Sequence, residues 1–198
     1  MSIITGKSLV AALAALAVAA GVQAQEKVLY SENFEEAIPG QTPKKWTKVW
    51  GSPGSDIFAV TNEKSAGGDN ALLLTRGDNQ GQWGFGVAFP HVDRGTVEIS
   101  FNLLLEGPGN QACLGFEIRN NTPGRLIFGS ATVQDFKIRN SRRKQVFSLT
   151  GDTWYKLKFT IPASKADGEQ SRFEITDIKT GQSATMESPI KEYPNKLG

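Results

Sequence analysis

Cysteine and histidine are almost missing from this chain. Of its 198 residues one is cysteine, Cys113, and one is histidine, His91. A lone cysteine excludes an internal disulfide and any cysteine cluster for a metal. A lone histidine excludes a pair of imidazole ligands, and any Ser-His-Asp machine would have to use His91. No sign of charge dominates: 22 Lys and Arg stand against 20 Asp and Glu, a net charge of +2. That balance gives nucleic acid no general electrostatic hold, so no nucleic-acid partner is expected. Charged residues at 21% and hydrophobic ones at 39% fit a folded domain and argue against a disordered chain. After Gln25 no apolar run is long enough to span a bilayer, so no membrane span is expected.

The first residues read as an address. Lys7 supplies a positive start, Leu9 to Ala20 is an unbroken apolar run, and Gly21-Val22-Gln23-Ala24 offers small residues to a signal peptidase. The run is shorter than the roughly 18–20 residues of a membrane span, which weighs against an uncleaved anchor. Residues 1–24 are therefore expected to be a signal peptide, and 25–198 a single exported domain, extracellular or periplasmic. No cysteine sits at the cut, so a bacterial-type lipid anchor is not available.

The body alternates as strands do. In Thr96–Leu103, Val97, Ile99, Phe101 and Leu103 share one face and Glu98, Ser100 and Asn102 the other. Trp154–Ile161 repeats this with Tyr155, Leu157, Phe159 and Ile161 inward, and Arg172–Thr176 does so again. Trp83, Phe85, Val87 and Phe89 make another apolar row, as do Ala112, Leu114, Phe116 and Ile118. Val133–Arg139 reads as one more strand, with Phe136 and Ile138 facing one way and Asp135, Lys137 and Arg139 the other. Gly107-Pro108-Gly109-Asn110, Thr122-Pro123-Gly124 and Ala166-Asp167-Gly168 punctuate these runs as turns. No helical period survives beyond Gln25. Many short strands with one apolar face predict an all-β, antiparallel β-sandwich. Glu187–Gly198 reads as a loop: either Tyr193 lies near a short final strand, or a closing strand is missing. An edge left open in that way would invite a protein partner to pair.

Three segments carry a resemblance. Ser31-Glu32-Asn33-Phe34-Glu35-Glu36, Pro39-Gly40-Gln41-Thr42-Pro43-Lys44-Lys45-Trp46 and Ala66-Gly67-Gly68-Asp69-Asn70-Ala71-Leu72-Leu73-Leu74 resemble the start of jelly-roll domains on secreted bacterial polysaccharide-active proteins. Those are the laminin-G-like, concanavalin A-like sandwiches and the carbohydrate-binding modules whose first strand ends in a Phe-Glu pair. The resemblance implies a jelly roll, a polysaccharide or oligosaccharide partner, and a structural Ca²⁺ with Glu35 and Asp69 as candidate ligands. It departs from the family at the end, where the usual Asp-bearing closing strand is not found. On the residues alone, Glu32 and Glu35 are either solvated carboxylates or hard oxygen ligands beside loop carbonyls near Asp69 and Asn70. Phe34 and Trp46 read as core-filling rings. No cofactor is required.

Catalysis finds little footing. Glycoside hydrolysis needs two carboxyl groups flanking the scissile bond, and the Glu-x-Asp-x-x-Glu string of concanavalin A-type glucanases is absent. Glu98 has Ser100 and Asn102 as same-face neighbours, and Glu117 has Gly115 and Arg119. His91 sits in a turn-like Phe-Pro-His-Val-Asp context, and Cys113 lies between apolar neighbours. Binding fits better. A sugar site needs an aromatic ring to stack on a pyranose and polar groups to reach its hydroxyls. Trp50 and Trp83 are the candidate platforms, and Glu117, Arg119, Lys137 and Arg139 the candidate polar groups. The bland alternative is that these rows are the wet side of a sheet, with Trp83 in the core beside Phe85 and Val87. The cluster Lys137, Arg139, Arg142, Arg143 and Lys144 would either draw an acidic polysaccharide or form a solvated hairpin tip. The expected function is thus a non-catalytic carbohydrate-binding sandwich. A structural or adhesive envelope protein is the alternative, and an atypical polysaccharide-degrading enzyme comes third.

Overall fold

The computed structural model describes residues 27–52, 54–75, 83–104, 106, 113–119, 127–134, 137–139 and 145–190. For 49–50, 113–119, 127–134, 137–139 and 145–146 only the backbone is described. The expected signal peptide lies outside these residues. Among them there is no helix, and every strand pairing is antiparallel. The strands are β1 (Thr47–Trp50), β2 (Ile57–Thr61), β3 (Ala71–Thr75), β4 (Gly84–Gly86), β5 (Thr96–Leu104) and β6 (Cys113–Arg119). They continue as β7 (Ile127–Gln134), β8 (Lys137–Arg139), β9 (Gln145–Ser148), β10 (Trp154–Pro162), β11 (Gln170–Asp177) and β12 (Ser183–Pro189).

Two four-stranded sheets carry the body, in the orders β12-β11-β10-β5 and β6-β7-β8-β9. They meet where β10 approaches β7 and β12 approaches β9, a sandwich-like arrangement. β10 lies inside its sheet, which is why its alternation is the cleanest in the chain. Tyr155, Leu157, Phe159 and Ile161 are buried, and Leu157 has no exposed surface at all. Phe173 and Ile175 of β11 meet them at the registered positions Phe159 and Leu157. Ile99, Phe101 and Leu103 of β5, Ala184 and Met186 of β12, and Phe147 and Leu149 complete this core. Each fully buried Leu, Ile or Phe contributes roughly 1.5–3 kcal/mol by removal from water. The one polar atom in the cluster, the Tyr155 hydroxyl, accepts the Thr150 N–H at 2.8 Å, so its burial leaves nothing unpaired.

A second cluster gathers around β2. Phe58, Ala59 and Val60 are buried in succession instead of alternating. A strand-like companion borders β2: the Gly40 N–H donates to the Val60 carbonyl, the Val60 N–H donates to that of Gln41, and the Thr42 hydroxyl donates to that of Phe58. Phe58 stacks on Phe85 at 4.0 Å between centroids and touches the rings of Trp46 and Trp83.

Four expectations are corrected here. The Val133–Arg139 run is not one strand: the chain reverses between Gln134 and Lys137, which pair across β7 and β8. A two-residue connection permits that hairpin; Asp135 and Phe136 lie outside the described residues. Glu187 to Pro189 belong to β12, paired to β11, and are not loop. The strand expected near Trp83 keeps only Gly84–Gly86; beyond it Pro90 lacks an N–H for a ladder. Finally, the Phe-Glu pair does not end a strand. Glu32 accepts the Phe34 N–H and Asn33 accepts the Glu35 N–H, local bonds that compete with a ladder, and Phe34 turns with a φ of 65°.

Candidate functional site

Glu35 and Asp69 do come together. The Glu35 carboxylate accepts the Asp69 N–H through both oxygens, at 3.1 and 3.2 Å, and the Asn70 N–H at 3.2 Å. The Asn70 amide returns a bond to the Phe34 carbonyl at 3.1 Å. Gly68, at a φ of +81°, brings its backbone so close that a Cβ would sit 2.3 Å from Glu35 Oε1. Glu35 is thus a clasp between the 34–36 and 65–70 loops, working as an acceptor of backbone hydrogen bonds. Among the described residues no group of three or more His, Cys, Asp or Glu side chains converges on one point.

Trp83 packs edge-on against both Phe58 and Phe85, and its indole N–H donates to the buried carboxylate of Asp56. Those contacts take the ring into the second cluster, as its shared face with Phe85 anticipated. Trp50 pairs through its backbone with Gly84, next to Trp83; its side chain lies outside the described residues. The same is true of the side chains of Glu117, Arg119, Lys137 and Arg139. Their backbones are placed: Glu117 opposite Ser130, Arg119 opposite Ile127 after a register shift, Lys137 between Gln134 and Ser148, and Arg139 between Thr132 and Gln145. All four belong to the β6-β7-β8-β9 sheet. His91 is exposed in the loop before β5.

Near Trp46, Tyr30 donates to Glu32 at 3.3 Å, and Lys45 lies 5.8 Å from the centre of the Tyr30 ring. Burial first, then the Glu32 carboxylate, raises the Tyr30 pKa; the neighbouring Trp46 indole opposes this weakly. That indole N–H is buried without a hydrogen bond of normal geometry.

The outward face of β12-β11-β10-β5 sets Ser100 and Asn102 among residues that the alternation alone does not single out. The alternation that turns Tyr155 inward turns Trp154 outward. Trp154 pairs with Leu104, and its carbonyl accepts the N–H of Ile178, an isoleucine 49% exposed. The next rung runs Ser183, Thr176, Lys156, Asn102; the one after it Thr185, Glu174, Lys158, Ser100; then Glu187, Arg172, Thr160, Glu98. Lys158 bridges to Glu98 at 2.6 Å and Arg172 to Glu174 at 3.0 Å. The hydrogen bond and charge of Glu98 hold the Lys158 ammonium protonated above its ordinary range, with Glu174 adding and Arg172 opposing. Trp154 was legible as the residue before an inward Tyr. Ser100 and Asn102 were legible as the wet face of their strand.

No protein-family model, curated protein or solved structure matches this chain.

Proposed function

We propose that the chain is an exported, non-catalytic β-sandwich of jelly-roll, concanavalin A-like topology that binds polysaccharide outside the cell or in the periplasm. The observation that carries this reading is the outward face of β12-β11-β10-β5. It is a broad field of hydroxyl, amide and charged side chains ended by an outward-turned indole. An indole supplies an apolar face for a pyranose, and the polar rungs supply donors and acceptors for its hydroxyls. Glu117, Arg119, Lys137 and Arg139 would offer a second polar field on the β6-β7-β8-β9 sheet, and Trp50 of β1 a further aromatic platform. A structural Ca²⁺ at Glu35 and Asp69 would reinforce a clasp that backbone amides already hold. Affinity electrophoresis and a glycan array, run with and without Ca²⁺, test the reading. Retention on at least one polysaccharide supports it, and uniform absence of retention by folded protein refutes it.

One observation favours a rival. Among the described residues β5, a nine-residue strand, lies at the edge of its sheet, and an edge left unpaired is a template for pairing with another chain. A solution mass above the monomer that persists without sugar would favour the adhesive or structural reading.

A further inference from the structure

The polar rungs on the outward face are not electrically alike. In two of them each cation already has a carboxylate partner: Lys158 pairs with Glu98, Arg172 pairs with Glu174, and a third carboxylate, Glu187, stands opposite Arg172. The rung nearest Trp154 differs. Its four members are Ser183, Thr176, Lys156 and Asn102, one cation among neutral hydrogen-bonding side chains. Lys156 is exposed, and among the described residues it has no ion pair. The nearby carboxylates are engaged elsewhere. Glu174, on the same face one rung along, bridges to Arg172 at 3.0 Å, Asp177 accepts the Lys179 and Thr180 N–H groups at 2.8 and 3.0 Å, and Asp152 faces Lys64 at 3.7 Å.

Resting on the carbohydrate-binding reading, we infer that this rung selects a polyuronate, a glycan whose sugars carry carboxylates. Trp154, with Leu104 and Ile178 beside it, stacks one pyranose. Lys156 is two residues along the same strand and on the same face, about 6.8 Å away, and it meets the carboxylate of the adjoining sugar. Thr176 and Ser183 on one side and Asn102 on the other bond to hydroxyls across a rung roughly 14 Å wide. A single ammonium is a point charge that suits one carboxylate. A sulfate ester is better served by the planar fork of Arg or by several cations, and the Arg172 fork on this face is engaged by Glu174.

The test compares polygalacturonate with the same polymer after methyl esterification, which removes the charge and keeps the backbone. The protein should bind the free acid about three- to fivefold more tightly than the ester, the range of an exposed ion pair. Lys156→Gln should erase that difference while leaving the ester unaffected, and 1 M NaCl should do the same to the unaltered protein. Trp154→Ala should weaken both polymers about tenfold. Equal binding of acid and ester by the unaltered protein overturns the inference. So does a preference that survives in Lys156→Gln, or tighter retention on a sulfated glycan than on polygalacturonate. Binding to neutral glycans alone sinks the inference and spares the carbohydrate reading; no retention on any glycan removes both.

Discussion

Replacing Gly68 by alanine probes the Glu35 clasp directly. The new Cβ would lie 2.3 Å from Glu35 Oε1 and 2.9 Å from its Cδ, at a φ of +81°. The backbone term is that of a non-glycine residue in the left-handed region, about 1 kcal/mol. The steric term alone is small, because a carboxylate on a flexible stem can swing away. Swinging away has a consequence, however. The carboxylate leaves the Asp69 and Asn70 N–H groups it now accepts from. A hydrogen bond to a charged group stabilises by about 1.5–3 kcal/mol, and at this exposed site water recovers part of that, leaving a loss of about 1 kcal/mol. The sum is about 2 kcal/mol, or a Tm lower by roughly 4–8 °C for a chain of this size. Urea unfolding of Gly68→Ala, Glu35→Ala and the double variant separates the two terms. With Glu35 already truncated, Gly68→Ala should cost only its backbone term, about 1 kcal/mol. An equal cost in both backgrounds would refute the clasp.

Leu157→Ala empties the centre of the main core from a position with no exposed surface, and should cost about 3–5 kcal/mol by urea unfolding at unchanged slope. The Asp177 carboxyl is held below the ordinary carboxylate range, chiefly by the Thr180 N–H and also by that of Lys179. A pKa lower in the folded than in the unfolded state stabilises the fold at pH values above the unfolded one, about 3.9, and that contribution disappears as pH falls through the folded value. The Tm gap between the unaltered protein and Asp177→Asn should be full at pH 7 and shrink below about pH 4. A gap that widens in acid would contradict this assignment.

The elements legible in the sequence were those with water on one face and the core on the other. β5, β10 and β11 announce themselves because Val97 to Leu103, Tyr155 to Ile161 and Phe173 to Ile175 alternate with polar residues, and the structure buries that set or packs it half-buried against the core. β2 hides because Phe58, Ala59 and Val60 are apolar and buried in succession, so no period of two remains. β12 hides for the opposite reason. It is an edge strand of Ser, Thr and Glu whose inward contribution is Ala184 and Met186 alone. The β7–β8 reversal carries neither Gly nor Asn at 135–136 to mark it. The proximity of Glu35 to Asp69 was legible only through resemblance. The backbone amides that make Glu35 a clasp cannot be read from residue types, since every residue but proline has one. Lys156 stands out only once register shows which neighbours lack charge.

The aromatic group of Trp46, Phe58, Trp83 and Phe85 shares no member with the cluster around Leu157 and Ile175. Two clusters with no shared member among the described residues allow two levels of opening. The short ladders of β1-β4 and β2-β3 can come apart while the β12-β11-β10-β5 sheet stays closed. In deuterated water, amides of Val60 and Phe85 would then exchange through a partial opening insensitive to Leu157→Ala. Those of Leu157 and Ile175 would wait for the whole molecule to unfold.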